Sequence, residues 1–165
     1  MICRVCGAEM SLYYTQGNDG RFRYYRCPGC GLVSLDPDIR ADQAKYERTS
    51  KKPAALRIEK SRTEKLQTYT FIAERLPVSG RFLDIGCAGG RLLELARDDG
   101  WEVMGIDISE RFAAHVRETL GIDAVSGDFL RYDFGLARFD LVAMRHVLEH
   151  LADPVAAMEK VGSLL

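Results

Sequence analysis

From Gly80 onward, apolar and polar positions fall into two kinds of block that alternate along the chain. Short runs dense in branched and aromatic residues, 81–86 (RFLDIG), 101–107 (WEVMGID), 122–128 (IDAVSGD) and 139–145 (FDLVAMR), predict buried strands. Between them the apolar positions recur at helical spacing. After the glycines of CAGG, Leu92, Leu93, Leu95 and Ala96 mark the inner face of a helix that Gly100 stops. A second helix spans about Glu110 to Leu120, with Ser109 at its N-cap and Gly121 past its end. A third closes the chain, with Asp153 as N-cap and Pro154 at its first helical position. Repeated strand and helix units of this length predict an α/β fold, a Rossmann-like, doubly wound parallel sheet of about four strands with right-handed crossovers.

Two segments precede that sheet. Residues 37–79 read as a helical connection, with a short helix from Arg40 to Tyr46 and a longer one from Ala54 to Leu76. In the longer helix Ile58, Leu66, Tyr69, Ile72, Ala73 and Leu76 form a stripe to pack on the domain that follows. Residues 1–36 have another character. Two strand-like stretches, Leu12 to Thr15 and Phe22 to Tyr25, flank the turn-rich QGNDG, and the whole is framed by CRVCG and CPGCG. The expected domains are therefore a ribbon over 1–36, the connection over 37–79 and the α/β domain over 80–165.

The ribbon's cysteines make its chemistry specific. Cys3 and Cys6 form one C-x-x-C knuckle, and Cys27 and Cys30 form the second. Two such knuckles complete a closed four-sulfur zinc site, the pattern of a zinc ribbon. With four cysteine ligands no position stays open for substrate or water, so the zinc is expected to be structural. Few aliphatic residues surround it, and folding of the module is expected to depend on the metal.

Composition narrows the remaining classes. A hydrophobic fraction of 47% with 28% charged residues is that of an ordinary globular protein. No apolar run approaches the roughly 20 residues of a membrane span, and MICRVC has no apolar signal region, so a cytoplasmic location without membrane contact is expected. The formal net charge of -1 argues against nucleic acid covering the whole surface. Charge is uneven, however. Ten basic residues from Arg40 to Arg75 outnumber five acids, a solvated helix face or a contact for phosphate or RNA.

In a doubly wound sheet, ligands bind at the carboxyl ends of the strands. The loop after the first strand, DIGCAGG, is small enough for close backbone approach, although the G-x-G-x-x-G spacing is absent. Asp107, ending the second strand about 20 residues on, is placed to accept from both ribose hydroxyls. Asp128, after the third strand, can accept from an exocyclic amine such as that of adenine, with Ile108 and Phe129 as apolar walls for the ring. No Walker-type lysine is present, so a nucleoside without a phosphate chain fits better than a triphosphate.

LDIGCAGGRLLELA, GIDIS, GDF and FDLVAMRHVLEHLADP, in this order and spacing, resemble the class I S-adenosylmethionine-dependent methyltransferases from about residue 80 to the end. The resemblance implies S-adenosylmethionine as cofactor. It also implies that Asp84, Gly86, Ala88 and Gly90 surround its methionine part, that Asp107 holds the ribose, and that Asp128 with Phe129 binds adenine. Ala88 stands where the family commonly has glycine. Cys87, in the same loop, is expected to pack rather than to act as a nucleophile.

The pentapeptide HVLEH, His146 to His150, matches the H-x-x-E-H spacing of one class of zinc peptidases. It follows a strand and precedes the capped helix at Asp153, so no long helix lies under both histidines and the peptidase reading is discarded. Its place after the fourth strand is instead where a methyl acceptor enters. His146 or His150 is a candidate general base and Glu149 its orienting partner, against plain hydrogen bonding at a strand-to-helix turn. Some quinone-biosynthetic methyltransferases look similar here and hold a divalent metal beside the acceptor.

The expected activity is methyl transfer to a small-molecule acceptor, such as a sugar or related metabolite. An RNA base methyltransferase is the competing enzyme, because a ribbon-plus-methyltransferase layout also exists among ribosomal RNA enzymes. A non-catalytic cofactor-binding or regulatory module is the reading of another class. It arises because the family's sheet has seven strands and four are found here, which suggests a shortened chain. The fourth strand is then an edge, along which self-association is expected.

Overall fold

A computed structural model describes residues 1–17, 19–36, 38, 62–76, 80–151 and 153–165. The helix expected at 40–46, and the part of the longer helix before Arg62, lie outside the described residues. Contacts divide the chain into two compact units, Met1–Asp42 and Gln43–Leu165.

The first unit is a three-stranded antiparallel sheet in the order β1 (Ser11–Gln16), β2 (Phe22–Arg26), β3 (Val33–Leu35). Both expected strands are present and each is slightly longer than expected. The third was not foreseen, because three residues are too few to show a period. Between Leu12, opposite Tyr25, and Tyr14, opposite Tyr24, the register shifts at a bulge, and the rings of Tyr14 and Tyr24 stack with centroids 4.4 Å apart. Its buried apolar side chains are Cys3, Met10 and Cys27, with Met1, Ala8 and Tyr25 packed on them. A core this small leaves the cysteine cluster as the unit's main staple.

The second unit begins with α1 (Arg62–Ala73) and continues β4 (Arg81–Ile85), α2 (Arg91–Asp98), β5 (Glu102–Asp107), α3 (Glu110–Leu120), β6 (Asp123–Ser126) and β7 (Leu141–Met144). A single 3₁₀ turn, Leu148–His150, leads to α4 (Pro154–Leu164). The sheet is parallel throughout, in the order β6-β5-β4-β7. Strand β4 is buried on both faces, which is why its sequence reads as a nearly continuous apolar run.

Each face of the sheet has its own core. On one side Phe82 packs with Leu92, Leu93 and Ala96 of α2, Ala113 and Val116 of α3, and Tyr69 of α1. On the other, Leu83, Ile85 and Ile106 pack with Ala157, Val161 and Leu164 of α4 and with Phe129 and Phe139. Helix α1 is tied to the end of α2 by the Tyr69 hydroxyl, which donates to Asp99 Oδ2 at 2.7 Å. As read from the sequence, Asp153 caps α4 by accepting from the Ala156 N–H, with Pro154 following it. Ser109 occupies the N-cap position of α3, but its side chain makes no capping bond. Among the described residues, β6 and β7 are the sheet edges, and no helix is long and apolar enough to cross a membrane.

Candidate functional site

The chain moves from β4 to β5 and β6 in one direction, then returns to lay β7 on the other side of β4. The order therefore reverses between β4 and β7, and in open sheets of this kind ligands bind outside the carboxyl ends of the strands at such a point. Three loops meet the sheet there: 86–90 after β4, 107–109 after β5, and 127–132 after β6. The turn 145–151 follows β7.

The first loop is wound through left-handed backbone at Gly86 (φ 72°), Ala88 (φ 49°) and Gly90 (φ 75°). Such a path brings backbone rather than side chains to the surface. Asp107 holds it in place: Oδ2 accepts the Ala88 N–H at 2.9 Å, and Oδ1 accepts the Ser109 N–H at 2.9 Å. The Asp107 carbonyl accepts in turn from Gly127 N–H at 3.0 Å. The Asp107 carboxylate thereby fastens the ends of the loops after β4 and β5. Beside it Ile108 is half exposed, an apolar surface at the rim.

Asp128 organises the third loop. Its Oδ1 accepts the Leu130 N–H at 2.9 Å, Oδ2 lies 3.6 Å from Arg131 Nε, and its carbonyl accepts from the amides of Arg131 and Tyr132. Its carboxylate remains partly exposed to solvent.

Three of the expected cofactor residues are engaged in packing. Asp84 is 1% exposed, inside β4 and beneath the glycine loop rather than on its surface. A Cβ on Gly90 would lie 2.7 Å from Leu120 Cδ1 and 2.8 Å from Val116 Cγ2, so the absence of a side chain at this glycine lets α3 approach. The Phe129 ring is 4% exposed and belongs to the core under α4. Cys87 packs as expected: it is buried, and its sulfur lies where a Cβ on Gly105 would come within 2.8 Å.

The HVLEH segment is not a helix bearing two histidines. His146 has φ 55°, and the only helical turn is Leu148–His150, closed by His150 N–H donating to the Val147 carbonyl at 2.8 Å. His146 Nδ1 and Glu149 Oε1 are 3.5 Å apart, both side chains exposed. Val147, which the sequence did not single out, turns inward. Its Cγ2 occupies the space that a Cβ on Gly86 would need, so the candidate acceptor turn rests directly on the glycine loop. A glycine opposite a branched residue was the available signal, but only the fold brings the two together.

In the ribbon, the sulfurs of Cys3, Cys6, Cys27 and Cys30 all lie within 4.8 Å of one another, the one such metal-ligand group among the described residues. Cys3 and Cys30 Sγ are 3.6 Å apart, and Cys6 and Cys27 Sγ 3.3 Å. Four sulfurs at about 2.3 Å from a tetrahedral zinc are about 3.8 Å from each other, so the cluster fits that ion with small adjustment. The Cys30 backbone N–H, with Cys6 adding to it, draws the Cys27 thiol down to about 6. The Leu32 backbone favours the Cys30 thiolate, yet burial and the neighbouring sulfurs outweigh it and push that thiol up to about 12. Sulfurs so close compete for ionisation, and a dication resolves the competition.

Comparison with known proteins converges on one family. The family model described as "Methyltransferase domain" matches residues 57–165. The Xylella fastidiosa protein named ubiquinone biosynthesis O-methyltransferase is 33% identical over 107 residues, 58% of this chain and 42% of its own length. Its namesake from Cereibacter sphaeroides (strain ATCC 17025) is 38% identical over 96 residues, 54% and 39% respectively. The chain thus spans about two fifths of the length of these curated relatives. Among solved structures, the glycopeptide N-methyltransferase MtfA complexed with sinefungin is 26% identical with a TM-score of 0.53, covering 59% of this chain and 44% of that one. The complex of MtfA with S-adenosyl-L-homocysteine gives 25% and 0.53, over 60% and 43%. With a family match over most of its length and the fold to go with it, the chain belongs to the methyltransferase-domain family.

Proposed function

We propose that the Gln43–Leu165 unit binds S-adenosylmethionine across the carboxyl ends of β4, β5 and β6 and passes its methyl group to a small-molecule acceptor at the turn after β7. One observation carries the reading: the Asp107 carboxylate fastens the glycine loop through Ala88 at the point where strand order reverses. The residues fit this cofactor. Loop 86–90 presents backbone to the methionine part, Asp107 serves the ribose, and Asp128 with half-exposed Ile108 serves the adenine edge and face. The MtfA complexes with S-adenosyl-L-homocysteine and sinefungin support the assignment. The relatives named for ubiquinone biosynthesis support a small-molecule acceptor.

When bound, the cofactor supplies a methyl group already activated on a sulfonium. What remains for the chain is positioning and proton removal. With Nδ1 3.5 Å from Glu149 Oε1, His146 takes the acceptor's proton at Nε2, and the carboxylate helps to orient the ring. The left-handed backbone of His146 turns this side chain out of the strand direction at the site's mouth. His150, one turn on, lies within the same segment as a second candidate. In the ribbon, Cys3, Cys6, Cys27 and Cys30 hold one zinc ion in a closed structural site.

Calorimetry with S-adenosyl-L-homocysteine tests the cofactor assignment, and absence of heat at millimolar ligand would overturn it. Once an acceptor is found, His146→Ala is expected to lower kcat by 10²-fold or more, on the order of a general base's contribution. Affinity for S-adenosyl-L-homocysteine is expected to stay as in the parent. Loss of both together would remove His146 from the proton-transfer role.

A further inference from the structure

Lys160 of α4 is half-buried, and its ammonium bonds to the loop that follows β6. Nζ donates to the Tyr132 carbonyl at 2.6 Å and to the Leu130 carbonyl at 3.2 Å. It also lies 5.2 Å from the centre of the Phe129 ring and 5.5 Å from that of Phe134. Those carbonyls belong to the turn that Asp128 organises from its other side, through the amides of Leu130, Arg131 and Tyr132. The turn is thus held between Asp128, whose carboxylate takes the Leu130 N–H and whose backbone carbonyl takes those of Arg131 and Tyr132, and an ammonium that takes the carbonyls of Leu130 and Tyr132. Both ends of α4 are anchored as well. Asp153 caps its start, just past the 145–151 turn, and the Leu164 carbonyl at its end accepts from Phe139 N–H at 2.8 Å.

We infer that Lys160 is a positioning residue for recognition of the cofactor's base: it sets the backbone of 128–132, and with it the Asp128 carboxylate, from the helix that begins at the acceptor turn. The inference rests on the cofactor reading above. A partly desolvated ammonium bonded to two carbonyls and set over two aromatic rings is costly to replace, because removing it leaves both acceptors unanswered. Methionine keeps the stem and its packing but donates nothing. Arginine keeps the charge and the donors.

The test compares two ligands that differ only at the base edge, S-adenosylhomocysteine and S-inosylhomocysteine, in which a carbonyl replaces the exocyclic amine. The parent chain is expected to prefer the adenine form. Lys160→Met is expected to weaken S-adenosylhomocysteine about tenfold and to move the ratio of the two affinities toward one, while Lys160→Arg restores most of it. A general loss of packing weakens both ligands alike and leaves the ratio unchanged, which would overturn the inference, as would a parent that does not discriminate. Should Lys160→Met fail to fold by circular dichroism, Lys160→Gln serves the same comparison with one donor head left. A parent that binds neither ligand refutes the cofactor reading itself rather than the role of Lys160.

Discussion

The Asp107 carboxylate accepts the backbone N–H of Ala88 at 2.9 Å and holds that residue at φ 49°, a conformation L-residues other than glycine rarely take. Alanine there carries a strain of about 1 kcal/mol or somewhat more, which the hydrogen bond to a charged acceptor offsets. Ala88→Gly should relieve it. Since glycine also loosens the unfolded chain, the expected gain is about 0.5–1 kcal/mol in urea unfolding, with ligand affinity retained. Asp107→Ala removes the acceptor of two backbone donors and is expected to lose about 2 kcal/mol or more together with cofactor binding. An Ala88→Gly chain less stable than the parent would mean that the left-handed loop is not strained.

Gly86 and Val147 join the glycine loop to the turn after β7. A methyl on Gly86 would collide with Val147 Cγ2 and would also sit at φ 72°. Gly86→Ala is therefore expected to destabilise by about 2 kcal/mol or more, from steric displacement and left-handed backbone together. Only the steric part is relieved by trimming the partner. Gly86→Ala with Val147→Ala should recover about 1 kcal/mol relative to the sum of the single changes. Strict additivity in a double-mutant cycle would show that the two loops do not touch in solution.

Burial, reinforced by the hydrogen bond and negative charge of Asp99, raises the Tyr69 phenol well above its ordinary value of 10.0. Below about pH 10 the phenol is neutral in both the folded and the unfolded chain, and its contribution to stability is complete. As pH rises past that point the unfolded chain releases the proton while the folded chain keeps it, so stability falls with pH until the folded value is passed. Denaturant unfolding of Tyr69→Phe should show a shallower alkaline loss than the parent between about pH 9 and about pH 11, despite a small deficit near neutrality from the missing bond to Asp99. Parallel curves would place the titration elsewhere.

The strands of the second unit could be read from pattern because each is short, apolar and bounded by glycine or a change of period. The roles of single residues depended on which face of an element they occupy, and that is a tertiary fact. Asp84 alternates with Leu83 and Ile85 and is buried by what packs on β4; Phe129 follows a carboxylate at a strand end yet turns its ring under α4. Gly90 reads from the sequence only as part of a ligand loop, and its packing against Val116 and Leu120 of α3 is visible only in the fold. Lys160 had no local signal at all, because its partners lie 28 and 30 residues earlier in the chain. By contrast, Cys3, Cys6, Cys27 and Cys30 could be identified outright. Metal-ligand spacing is itself the chemistry.

With four sulfurs within 4.8 Å of one another in a unit with almost no apolar core, folding of the ribbon is expected to depend on a bound zinc ion. One zinc per chain is expected by metal analysis, and cobalt in its place should give the intense near-ultraviolet charge-transfer bands of four-thiolate coordination. Because zinc binds thiolates, protons compete for the same sulfurs, and affinity should fall as pH is lowered. Chelation should abolish the protection of β1 and β2 amides against hydrogen exchange, while the amides of β4 and β5, in a separate compact unit, keep theirs. Cys30→Ser is expected to weaken zinc by 10²-fold or more, on the order of the loss of one ligand bond from a closed site. Undiminished protection of β1 and β2 after complete zinc removal would show that the ribbon folds on side-chain packing alone.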